Sequence, residues 1–253
     1  MTAYAGTASE LAGYLGSLAA ADVSVQLAGV AEAAVRVVFS VSILILCVTV
    51  HEFGHAYVAD RLGDPLPRRQ GRVTLNPLAH IDLLGTVLFP ALMALGAALP
   101  LAWGKPVECS ENPRLLTRRF SMRTIRLLVS VAGPAMNLAL ALVLSVGFLV
   151  AAWLQVGFLP EMLLKVIQLN LGLLFFNLLP VPPLDGRAFL AFLPDALAPV
   201  REGLLRYGAL IFLALVVIGG MGQGPSPLQY IMLPFNLITR AYLGWLLQIG
   251  GLT

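Results

Sequence analysis

His51, Glu52 and His55 are the residues whose types and spacing can do chemistry. The two histidines stand four positions apart, one turn on a single helix face, where two imidazoles can hold one zinc ion. Glu52 follows the first of them directly and is placed to take a proton from an attacking water. The pattern, HEFGH, closes an apolar run: residues 37–50 read VVFSVSILILCVTV, and Ala56, Tyr57, Val58 and Ala59 continue it up to Asp60 and Arg61. In one transmembrane helix, His51 lies ten residues from Arg61, about 15 Å at 1.5 Å per residue, near half the hydrocarbon thickness. Ionisable groups at that depth are rare and mark function. HExxH arises by chance on many soluble helices, but here a chance triplet would carry a few kcal/mol per charged group with nothing to offset it.

A catalytic zinc has three protein ligands and an open position for water. The soluble pattern HExxHxxGxxH fails, because Arg61 stands six residues after His55. His80 and Asp185 are the remaining candidates. His80 follows a turn and a proline near an arginine-rich boundary. Asp185 comes just after Pro180, Val181, Pro182 and Pro183, where proline removes backbone donors and breaks the preceding helix, and its charge would help neutralise an ion in a low-dielectric setting. A loop aspartate at the water boundary, with Arg187 as partner, is the plain alternative.

The elements that must position these groups are membrane helices. The 253 residues are 58% apolar and 11% charged, with a mean hydropathy of +0.87, against roughly 25% charged in an ordinary soluble domain. The expected fold is an all-α polytopic membrane protein of about six transmembrane or re-entrant helices, with a short membrane-associated β-strand or hairpin after the first catalytic helix. The formal charge of +3 is carried by arginines beside the spans, which suits the positive-inside rule and excludes nucleic-acid binding. Cys47 and Cys109 offer neither a disulfide framework nor a CxxC zinc pair. One membrane-embedded domain is expected over residues 1–253, without a cleavable signal: an interfacial segment at 1–31, a catalytic core at 35–190 and packing helices at 203–253.

Within that frame, Arg61, Arg68, Arg69 and Arg72 assign the end of the first span to the cytoplasm. Gly71, Arg72, Val73, Thr74 and Leu75, bounded by Asn76 and Pro77, are expected to form a strand whose free edge can accept an unwound peptide. Residues 83–104 carry no charge and are long enough to cross. A crossing would separate Arg114, Arg118, Arg119, Arg123 and Arg126 from the first arginine cluster, so a re-entrant hairpin is expected. The next span opens with Gly133, Pro134, Ala135, Met136 and Asn137, small residues that admit a neighbouring helix and one amide in an apolar setting. Asn170 and Asn177 share a face of the following segment, and Asn177 and His80 are candidates to support the ligands from behind.

HEFGH, GPAMN and FNLLPVPPLDG, in that order, resemble the site-2 protease family of intramembrane zinc metalloproteases, and GRVTLNPLAHID and WGKPV resemble its compact bacterial members, which lack PDZ or CBS domains. The likeness covers most of residues 48–190. It implies one zinc per chain held by His51, His55 and Asp185, Glu52 as the catalytic base, and Asn137 near the site to orient substrate or the oxyanion. It also implies membrane-protein substrates, single-span proteins first among them, cut in a bacterial inner membrane by a site open to the cytoplasm. The rival reading is a metal transporter or zinc-sensing membrane protein using the same side chains. Transporters are expected to show internal repeats and polar paths to both faces, and no repeat is present in the sequence. Oligomeric state leaves no mark on it.

Overall fold

The computed structural model describes residues 4–95, 102–110, 119–221 and 227–252. Its elements are helical: α1 (Tyr4–Arg61), a single turn α2 (Leu66–Arg69), α3 (Leu83–Ala94), α4 (Met122–Trp153), α5 (Leu159–Asn177), α6 (Ala198–Met221) and α7 (Pro227–Ile249). Four stretches are long and apolar enough to cross a membrane: Gly29–Arg61, Met122–Trp153, Leu159–Asn177 and Asp195–Gly219. Their outer faces are apolar and bare, as at Leu142, Val143, Val146 and Val150 on α4, a surface that lipid accepts and water does not. The chain is an integral membrane protein.

Two expectations are corrected. The count of about six transmembrane or re-entrant segments is not supported: among the described residues four are candidate spans. The 23-residue α7 carries Arg240 among its apolar residues and does not qualify by composition, and α3, at twelve residues or about 18 Å, is shorter than the hydrocarbon core. No strand exists among the described residues, and Gly71, Arg72, Val73, Thr74 and Leu75 form a tight loop. Gly71 sits at φ +67°, a left-handed conformation that turns the chain. Arg72 is buried, its guanidinium donating to the carbonyls of Ala79 and Lys105. A strand would put alternate side chains on opposite faces and pull that guanidinium from its carbonyls.

The segment containing α3 turns back on itself. Trp103 N–H donates to Gly85 O at 3.1 Å, the Thr86 hydroxyl to Trp103 O at 2.8 Å, and Lys105 N–H to His80 O at 2.9 Å. The chain therefore returns beside the point where it entered. Helix α1 runs from Tyr4 into the first span without a break.

Three helices, α1, α4 and α5, form the frame of the site. Gly54 allows α1 and α4 to meet at backbone distance: a Cβ there would stand 2.6 Å from Ala132 O and 2.7 Å from Met136 Cγ. Ile43 and Cys47 of α1 pack on Val166 of α5, and the Asn170 amide donates to Cys47 Sγ at 3.1 Å. On the other side Ala141, Phe148 and Ala152 of α4 close on Ile167, Leu171 and Leu174 of α5 and on Leu246 of α7. Tyr242 O–H donates to Ser145 Oγ at 2.8 Å, one of the polar links that fix register between apolar helices, each contributing about 0.6 kcal/mol.

Candidate metal centre

His51 and His55 project from α1 toward α4 at the height of Gly133, and both are buried. A Cβ on Gly133 would overlap His55 Nε2 and lie 2.7 Å from His51 Cε1, so only glycine leaves room for the two rings. Replacing Gly133 with Val is expected to displace both imidazoles and remove metal binding while the helices still form. Zinc analysis beside circular dichroism of the purified variant checks this, and full zinc content would contradict it.

Asp185 arrives from the other end of the frame. The residues after Asn177 fold back over the end of α5, and Gly186 lies so close to the carbonyls of Leu178 and Leu179 that a side chain there would overlap both. Its neighbour Asp185 is thereby held against α1. Asp185 Oδ2 stands 3.1 Å from His51 Nε2 and 3.2 Å from His55 Nε2, and the two ring nitrogens are 3.1 Å apart. Tetrahedral zinc with ligands at about 2.0–2.1 Å requires ligand atoms about 3.3 Å apart, so the triangle fits the ion. His55 Nδ1–H donates to Val129 O at 2.7 Å, which leaves Nε2 as a bare lone pair facing the other two donors. Lone pairs gathered this tightly repel unless a cation or proton lies among them. Among the described residues this is the one group of metal-capable side chains.

Glu52 is buried beside the triangle and accepts Val107 N–H at 3.2 Å. Residues 102–110 carry no helix or strand and pass beside α1 at Glu52. Gly104 presses against Val48 and leaves 3.4 Å between its Cβ position and Glu52 Cγ. The segment that touches the site is thus this one and not residues 71–75. His80 is fully buried behind it, away from the triangle, with Nε2–H donating to Thr74 O at 2.9 Å and its carbonyl taking Lys105 N–H. Of the two candidate third ligands, only Asp185 reaches the histidines.

Asn137, one turn beyond Gly133, is completely buried, and neither its amide nitrogen nor its oxygen has a partner. Leaving such a group unpaired costs about 1–3 kcal/mol, which fits an amide kept for a ligand. Asn177 turns back on its own helix, donating to Leu173 O at 3.0 Å, and makes no hydrogen bond to the triangle. Val107, Gly104 and the Val129 carbonyl were not singled out as parts of the site by the sequence; the only signal for the first two was the WGKPV run, glycine and proline bracketing a lysine.

The pattern of peptidase family M50 matches residues 39–157, a range that holds both histidines and Glu52 and stops short of Asp185. The chain is 38% identical over 185 residues to YwhC of Bacillus subtilis, assigned by name as a zinc metalloprotease, covering 69% of this chain and 78% of that one. It is similar to two proteins that share the name Rip2 and the same assignment. The Mycobacterium tuberculosis protein is 35% identical over 178 residues, 65% of this chain and 62% of that one. The Mycolicibacterium smegmatis protein is 30% identical over 241 residues, 89% and 85% of the two chains. No solved structure matches the chain.

Proposed function

Because this chain belongs to peptidase family M50 and is an intramembrane zinc metalloprotease, we propose that His51, His55 and Asp185 are its zinc ligands and Glu52 its general base. The observation that carries the assignment is the triangle of three donor atoms 3.1–3.2 Å apart with a carboxylate on the adjoining residue. When bound, zinc supplies Lewis acidity, lowering the pKa of a water to about 7 and polarising a carbonyl. Glu52, held by Val107 N–H, takes the proton from the attacking water and later delivers it to the leaving amine. The unpartnered Asn137 amide donates to the substrate carbonyl as charge develops on its oxygen. His80 acts at one remove, its carbonyl bracing Lys105 in the segment that holds Glu52 in place.

The substrates are membrane proteins, and single-span proteins suit the site best, because one helix can enter alongside α1 and α4 and unwind to free its hydrogen-bonded carbonyls. The opened segment lies along residues 104–110, the non-helical backbone beside Glu52. Purified enzyme in vesicles is expected to cut members of a panel of single-span proteins within or next to the span; a panel left intact under conditions that load zinc would oppose this reading.

Water reaches the site from the arginine-bearing side, the cytoplasmic face of a bacterial inner membrane by the positive-inside rule. Cys109, exposed near the site entrance, reports that side, whereas Cys47 is buried. Partial burial of the thiol, with Asp64 and Glu52 nearby, pushes Cys109 up to about 11, so its thiolate is scarce and labelling slow even at pH 8. A membrane-impermeant maleimide is expected to label inverted vesicles and spare intact spheroplasts; labelling of intact spheroplasts would reverse the orientation.

A further inference from the structure

A second polar feature lies far from the metal centre. A cavity of about 500 Å³ opens between α5 and α7, and its lining includes Lys165, Gln168, Asn236, Thr239 and Arg240. The two helices run antiparallel here, Phe175 stacking on Phe235 with centroids 4.8 Å apart. Lys165 Nζ lies 6.0 Å from the ring of Phe39 on α1. Phe39 precedes His51 by 12 residues and Arg61 by 22, about 18 Å and 33 Å along the helix. The cavity therefore sits at the membrane boundary opposite the arginine-rich side. Trp153 at the end of α4, 82% exposed, and Trp245 on α7 mark the same boundary.

Two cations on this side run against the positive-inside pattern, and both face one cavity. Among the described residues neither has a carboxylate partner, since the ion pairs are those of Asp185 with His51 and His55 and of Asp60 with Arg68. Glu161, one turn before Lys165, is exposed and makes no ion pair with it. Lys165 and Arg240 are both exposed on the outer face of the bundle, and two cations that line one cavity repel until an anion lies between them. Lys165 stands six residues into α5 and Arg240 nine before the end of α7; long basic side chains reach along a helix toward the headgroup layer, and amide and hydroxyl groups beside them can donate to phosphate oxygens.

We propose that this cavity binds the phosphate of an anionic phospholipid headgroup in the leaflet opposite the arginine-rich face. Lys165 and Arg240 supply the charge, while Gln168, Asn236 and Thr239 supply neutral donors. A lipid held there braces α7 against α5, the helix whose end delivers Asp185.

The test compares binding of phosphatidylglycerol and phosphatidylcholine with the same acyl chains to the purified full-length protein, read by native mass spectrometry. Each cation near anionic lipid contributes about a factor of five, so the wild type should prefer phosphatidylglycerol by about 25-fold. A double variant, Lys165→Gln with Arg240→Gln, should lose that preference, and the exchange Lys165→Arg with Arg240→Lys should keep it. No preference in the wild type, or an undiminished one in the double variant, overturns the proposal. Inorganic phosphate at millimolar concentration that displaces phosphatidylglycerol completely would assign the cavity to a soluble anion and remove the lipid. Wild-type zinc content in each variant separates loss of this site from loss of the fold.

Discussion

Glu52→Gln removes proteolysis, lowering kcat by about 10²–10⁴-fold, while the variant keeps a full equivalent of zinc. The magnitude is that of a lost general acid–base group. The split between the two readouts follows from geometry. The three donor atoms of the triangle belong to His51, His55 and Asp185, and Glu52 contributes none of them. Glutamine has nearly the same volume and can still accept Val107 N–H through its carbonyl oxygen, so the segment beside the site is retained. What it lacks is the capacity to take a proton. Steady-state cleavage of a single-span substrate together with metal analysis measures both quantities. A variant that loses zinc along with activity would make Glu52 a ligand, and one that loses neither would remove it from the chemistry.

Asp185→Ala is the second large effect, and it strikes metal affinity first. With the carboxylate gone, two imidazoles remain, one fewer protein ligand than a catalytic zinc site has. The loss is expected to exceed the 10–100-fold that follows removal of a group behind a ligand, and cleavage should fall with it. Asp185→Asn is milder in shape but not in charge, since a neutral amide does not offset a dication in a low-dielectric setting. Competition with a chromogenic chelator gives the affinities. Wild-type zinc affinity in Asp185→Ala would show that the 3.1 Å and 3.2 Å approaches to the histidines are not coordination.

The His51, Glu52, His55 triplet was legible because its code is local. A four-residue spacing on a helix maps directly onto one face, and the apolar run around it set the depth. Asp185 was legible in part: the proline break announced a displaced carboxylate, but its meeting with residues 130 and 134 positions away came from resemblance, not from spacing. The device that delivers it, Gly186 pressed on the end of α5, has no signature beyond a glycine after an aspartate.

The strand expected at Gly71 through Leu75 failed for a traceable reason. The flanking glycine and the turn-forming Asn76 and Pro77 suggested a short strand, yet Arg72 is the best-buried member of the group and ties two distant carbonyls together. The segment beside the site is instead residues 102–110, where Gly104 admits close approach and Pro106 resists helix. The re-entrant course expected for residues 83–104 rested on charge, on keeping the arginines to one side, and the bond from Trp103 to Gly85 O is consistent with it.

X-ray absorption at the zinc edge of the purified wild-type enzyme addresses the coordination directly. The expected spectrum shows one zinc per chain with two imidazole nitrogens and oxygen donors at about 2.0–2.1 Å, and in Asp185→Ala the oxygen shell changes or the metal is lost. A wild-type spectrum with sulfur donors, with a single imidazole, or unaltered by the loss of Asp185 would contradict the site described above.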